Sequence, residues 1–117
     1  MSAGGAANGV IFLRPQEGKK DELEQFLIKN LKDIRENVAG VLIAFYFWSD
    51  EKQEFVVVES FKSTQAMFEY GNSQYHEGMV AKVIELGVTP FQAFTDQSNS
   101  QELKDFRTTG QATHFDV

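Results

Sequence analysis

Apolar residues recur along the chain with two different periods. Gly9–Arg14 (GVIFLR) is a short β-rich run stopped by Pro15 and predicts a first strand. From Asp21 to Val38 the apolar positions are Leu23, Phe26, Leu27, Leu31, Ile34 and Val38. Their intervals of 3, 1, 4, 3 and 4 predict a helix with one buried stripe. Asp21, Glu22 and Glu24 stand in its first turns, where the helix dipole favours acids. Val41–Trp48 is unbroken in apolar character and predicts a second strand, and Phe55–Phe61 (FVVVESF) a third across the polar turn SDEKQE, which makes a hairpin. Ser63 is placed to cap a second helical region running to about Gly87, with a break at Gly71–Asn72–Ser73. Met79, Val80, Val83 and Ile84 keep helical spacing in its second half. Pro90–Asp96 predicts a fourth strand, with proline at its first position, where it is tolerated.

The order β-α-β-β-α-β predicts an α+β, ferredoxin-like antiparallel sheet with two helices on one face. Residues 1–8 read as a flexible lead, 9–96 as the domain and 97–117 as a C-terminal extension. The extension has the pattern for a short helix at Ser100–Phe106 and a last short strand in GQATHFDV, and would pack on a partner subunit.

The second strand is apolar on both sides. Strict alternation puts Val41, Ile43, Phe45 and Phe47 on one face and Leu42, Ala44, Tyr46 and Trp48 on the other. The first set has no polar side-chain atoms and suits a core under the helices. The second ends in Tyr46 and Trp48, residues with polar tips that favour interfaces and ligand cavities. Burying Leu42, Tyr46 and Trp48 removes on the order of 400 Å² from water, an upper bound of about 10 kcal/mol. That is comparable with the ~4–15 kcal/mol cost of association. A second copy related by a two-fold axis is the simplest cover, with Leu42 and Trp48 at the interface. The C-terminal extension folding back over the sheet is the alternative.

Composition narrows the chemistry. A formal net charge of −6 argues against nucleic acid and against an anionic membrane surface. No apolar run approaches a spanning helix and MSAGGAANG is not a signal peptide, so the chain reads as cytoplasmic. With no cysteine, thiolate catalysis and Cys-ligated metal are excluded. With two histidines, His76 and His114, no all-histidine metal site forms within one chain, and the expectation is no metal and no cofactor. Eleven phenylalanines crowd a small core and point to an apolar cavity.

Three stretches carry a family resemblance: VIFLRPQEGKKDELEQF, AGVLIAFYF and FVVVESFKSTQAMFEYGNSQYH. The last holds Glu59, Phe61, Ser63, Ala66, Ser73 and His76 in a strand, Glu, aromatic, Ser, Ala pattern followed by Ser-x-x-His. Over roughly Gly9 to Asp96 the sequence resembles the antibiotic biosynthesis monooxygenases of the dimeric α/β-barrel superfamily. The resemblance implies a homodimer whose sheets face each other to close a barrel, with a pocket between sheet and helices in each protomer. It implies a cofactor-free oxygenase acting on aromatic or quinol-like molecules. Many members carry His where Tyr70 stands. The haem-degrading branch has Trp there and a ligating His where this chain has Val80, and Asn8 lies too far before Gly18 to be that branch's strand Asn, so haem degradation is not implied.

His76, within the domain, binds a substrate oxygen or moves a proton near neutral pH, or is a helix-terminal histidine bonded locally. Tyr70 is its catalytic companion, beside Asn72 and Tyr75 at the helix break; ordinary turn chemistry is the alternative for all three. Phe12, Arg14, Tyr46, Met79 and Phe94 complete the expected ligand-binding set. Arg14 would hold a carboxylate or enolate oxygen, or point to water. Glu59, among apolar neighbours, reads either as a base with a raised pKa or as a structural residue bonding the loop before the second helical region, the latter favoured. The functional expectation is a monooxygenase on an apolar small molecule; the alternative is a non-catalytic binder of a fatty-acyl or aromatic ligand.

Overall fold

The computed structural model describes residues 6–96. β1 (Ala7–Leu13) is followed by α1 (Lys20–Asn37), the hairpin β2 (Val41–Ser49) and β3 (Glu54–Phe61), then α2 (Thr64–Gly71), α3 (Gln74–Leu86) and β4 (Gln92–Thr95). All pairings are antiparallel and the strand order is β2-β3-β1-β4, the ferredoxin-like arrangement. Residues 1–5 of the expected lead at 1–8, the extension at 97–117 and the helix and strand within it lie outside the described residues, while Ala7 and Asn8 of that lead are already part of β1. β1 begins two residues earlier than its pattern suggested. Asn8 holds that end down: its backbone N–H and side-chain amide donate to the two carboxylate oxygens of Asp96 (2.9 and 2.6 Å), and it accepts from the Ser60 hydroxyl (2.6 Å).

One sheet face carries the helices. α1 buries Leu23, Leu27, Leu31 and Ile34, the stripe its spacing predicted, with Phe26 and Val38 half-buried at its margins. They meet Ile11, Leu13, Phe55, Val57 and Phe61 from β1 and β3, while Met79, Val83 and Leu86 of α3 close the other half of the layer. Gly40 ends the α1–β2 connection at φ +88°, and a Cβ there would stand 2.7 Å from that of Ala66, so both the backbone conformation and the close approach require glycine.

The faces of β2 are the reverse of the strict alternation. Val41 pairs with Phe61, but Ile43 pairs with Ser60, so Leu42 is an extra residue in a β-bulge. One inserted residue exchanges the faces of everything after it. Ala44, Tyr46 and Trp48 therefore lie under α1. Tyr46 donates its hydroxyl to Glu24 (2.7 Å), and Trp48 packs edge-on to Phe55 with Lys20 3.9 Å above its ring. Trp48 is thus packed within its own protomer, which corrects its assignment to the outer face. Ile43, Phe45 and Phe47, expected in the core, stand 48%, 44% and 49% exposed on the open face, with Leu42 exposed beside them and Phe94 on β4. Among the described residues, no helix is long and apolar enough to cross a membrane.

Candidate functional site

Glu59 shares the helix-facing side of β3 with Phe55, Val57 and Phe61, in phase with an otherwise apolar stripe. Its cross-strand neighbours are Gly9 on β1 and Ala44 on β2, the smallest residues available, so a slot opens over the middle of the sheet. The carboxyl is fully buried, and burial pushes its pKa up to about 7, against a downward pull from the Tyr70 hydroxyl. Tyr70 donates that hydroxyl to Glu59 Oε2 at 3.3 Å. Burial, then the Glu59 charge, raise the phenol well above its ordinary range, so it stays a proton donor.

The helix break sets the rest of the geometry. Ser73 caps α3: its hydroxyl donates to the Tyr70 carbonyl (2.6 Å) and accepts from the His76 N–H (3.4 Å). One side chain thus ties the last turn of α2 to the first turn of α3. Tyr70 stacks on Phe61 with ring centroids 5.3 Å apart, and His76, 3% exposed, meets the Tyr70 ring edge-on at 5.1 Å. Carboxyl, phenol and imidazole form one buried cluster under the sheet.

Between this cluster and β4 lies a narrow cavity whose lining includes Glu59, His76, Met67, Met79, Val80 and Phe91. Its free volume is about 10 Å³, room for roughly one water. A larger guest therefore needs the wall to move, and Met67 and Met79 are side chains that yield most readily.

The sequence-predicted residues divide. Tyr70, His76 and Met79 gather at this site, whereas Phe94 borders the cavity from β4 but is exposed on the open sheet face, edge-on to Phe12 at 5.7 Å. Phe12 and Arg14 instead line a groove of about 300 Å³ on the far side of Phe91, where Arg14 donates to the Lys52 carbonyl (3.1 Å). Tyr75 lies in a groove between α1 and α3, its carbonyl accepting from buried Asn30 (3.4 Å). Asn72 donates to the Phe68 carbonyl (3.3 Å) and lines an outer depression over α3. Tyr46 is engaged with Glu24 under α1, away from the cluster. These separations follow from the helix: Asn72, Tyr75 and His76 are close in sequence but leave α2 and α3 in different directions. Among the described residues, no group of three or more His, Cys, Asp or Glu is placed to hold a metal ion.

Residues 9–82, from β1 through most of α3, match the sequence model of the antibiotic biosynthesis monooxygenases. The chain belongs to that family. No curated protein sequence matches it. Solved structures match its fold. Rv0793 of Mycobacterium tuberculosis is 20% identical with a TM-score of 0.70, over 77% of this chain and 91% of that one. A Caulobacter crescentus protein proposed to be an antibiotic biosynthesis monooxygenase is 20% identical with a TM-score of 0.72, over 80% and 90%. Protein SO0527 of Shewanella oneidensis is 22% identical with a TM-score of 0.70, over 79% and 89%.

Within this member of the family the residue that sequence reasoning undervalued is Glu59. Its partner is the Tyr70 hydroxyl, so the favoured reading of a carboxylate bonding the loop before α2 gives way to a buried acid–phenol pair. The signal was present: Glu59 falls on the same alternation as Phe55, Val57 and Phe61. Only the pairing with Gly9 and Ala44 revealed the slot that accommodates it.

Proposed function

We propose that the protein is a cofactor-independent monooxygenase acting on an apolar aromatic or quinol-like small molecule, with Glu59 as its base. The observation that carries this reading is a fully buried carboxyl with a pKa of about 7, facing an apolar cavity in a chain of this family. A base whose pKa lies at the working pH combines a useful ionised fraction with the driving force to take a proton.

Glu59 removes a proton from an activated C–H or phenolic O–H of the substrate. The resulting anion passes its electrons to dioxygen and forms a C–O bond. For a substrate methylene the balance is CH₂ plus O₂ giving C=O plus H₂O, the proton on Glu59 leaving with the water. Tyr70 holds the carboxylate in place through its hydroxyl, and the His76 ring steadies the substrate oxygen. The surrounding Met67, Met79, Val80 and Phe91 exclude water, which keeps the anion reactive towards oxygen.

The protein acts as a homodimer through its open sheet face, where Leu42, Ile43, Phe45, Phe47 and Phe94 are exposed. An apolar patch of that kind on a sheet marks an interface.

Oxygen consumption with an anthrone and with a hydroquinone tests the assignment. Glu59→Gln keeps the shape and is expected to lower kcat by ~100-fold or more, the usual contribution of a general base. An unchanged rate in that variant removes Glu59 from the mechanism. The second reading, a non-catalytic binder of an apolar ligand, draws support from the apolar wall around the carboxyl. It predicts a ligand that stays bound in native mass spectrometry and no oxygen uptake by the wild type.

A further inference from the structure

The narrow cavity at Glu59 has three neighbouring hollows, and the walls between them differ. Phe91 alone is shared with the groove at Arg14. Gly9, Val10 and Phe94 are shared with a shallow hollow on the open sheet face. That wall is the hydrogen-bonded β1–β4 ladder, in which Gly9 pairs with Thr95 and Val10 with Phe94. His76 and Val80 are shared with the outer depression over α3, a hollow of about 500 Å³ that also touches Gly71, Asn72 and Ile84.

The third wall faces the largest of these hollows, about 500 Å³ against about 300 Å³ at Arg14 and about 260 Å³ on the open sheet face. His76 and Val80 are one helical turn apart and share a face of α3, so two side chains of a single helix divide the cavity from the surface. Gly71, at the end of α2, contributes no side chain to the outer side. Val80 is half-buried, the smaller of the two, and β-branched, which leaves it one favoured rotamer in a helix. Where Met67 and Met79 adapt to a guest, Val80 stays put.

We propose that substrate reaches Glu59 from the depression over α3, past Val80, and that the size of residue 80 sets the largest ring system admitted. This rests on the reading of Glu59 as the catalytic base. Val80 makes no contact with the reacting atoms. Its role is specificity through the width of the opening, and the molecules it screens are flat and apolar, because the wall behind it is Met67, Met79 and Phe91.

Two measurements on the full chain test this. In the first, diethyl pyrocarbonate labels His76 and peptide mass spectrometry reads the rate at that residue. Val80→Ala is expected to raise the rate at least 5-fold over wild type and Val80→Leu to lower it. In the second, kcat/KM for oxygen consumption is compared between a tricyclic anthrone and a monocyclic hydroquinone. Val80→Ala is expected to shift the ratio at least 5-fold towards the anthrone, and Val80→Leu or Val80→Phe at least 5-fold towards the hydroquinone. Val88 stands 44% exposed on the groove at Arg14 and does not line the cavity, so Val88→Phe narrows that other route and is expected to leave the ratio where it was. The proposal is overturned if the Val80 variants change both substrates equally, if Val88→Phe reproduces the shift of Val80→Phe, or if His76 labelling is the same in all of the Val80 variants. Absence of oxygen uptake by wild type overturns the base assignment instead, and the labelling rates then decide the access route alone. Val80→Leu, a modest enlargement, keeps the test open if Val80→Phe does not fold.

Discussion

A charge at Glu59 opposes folding. Its pKa rises from 4.5 to about 7 on burial, so the folded chain holds this proton more tightly than the unfolded one. Below pH 4.5 both states are protonated, and the stability of the neutral, buried form is fully present. Between 4.5 and about 7 the unfolded chain loses the proton first, so stability falls as pH rises through that window and levels off above it. The size of the shift corresponds to roughly 3 kcal/mol. Urea unfolding at pH 5 and pH 8 should therefore show wild type losing stability towards pH 8 over and above the slope of Glu59→Gln, which has no such proton. Equal slopes in the two proteins would mean that the carboxyl is not isolated from water. Proton abstraction needs the ionised carboxylate, and a pKa of about 7 leaves part of Glu59 ionised near neutral pH with greater basicity than an exposed carboxylate, so in the proposed mechanism the same burial that costs stability prepares the site.

At the level of elements, two junctions decide where the site residues stand. Ser73 joins α2 to α3 by bonding the Tyr70 carbonyl and the His76 N–H. Ser73→Ala should cost ~1 kcal/mol as a lost cap. It should also lower kcat in oxygen consumption by more than that loss of stability explains, because phenol and imidazole are no longer held in register. Gly40 joins α1 to β2 at positive φ with no room for a Cβ, and Gly40→Ala should destabilise by ~1–3 kcal/mol in denaturant unfolding. The turn composition of GNS and the cap at Ser63, which accepts from the Ala66 N–H (3.1 Å), were legible because such signals are local. The bulge at Leu42 was not. Nothing in VLIAFYFWS distinguishes one register from the next, since both faces are apolar, and the choice is made by the hydrogen bonds of β3.

For the molecule as a whole, the open face of the sheet is the feature that asks for a partner. Phe45 and Phe47 lie on its β2 side and Phe94 on its β4 side, all exposed in the isolated chain. Sedimentation velocity at micromolar concentration should show a dimer, and Phe45→Glu should convert it to a monomer whose far-ultraviolet spectrum is unchanged. A wild-type monomer would leave the face to some other cover. The sequence by itself determined the order of strands and helices, the buried stripe of α1, the helix break and the two-sided apolar character of β2, because periodicity, capping and apolar run length are properties of neighbouring residues. Tertiary structure alone decided which side of β2 meets the helices, that Glu59 falls opposite Gly9 and Ala44, and that Phe12, Arg14 and Tyr75 stand in other hollows. Those outcomes depend on the register between strands distant in sequence, where the shift of a single residue reverses a face and a missing side chain on the adjacent strand makes room for a carboxyl.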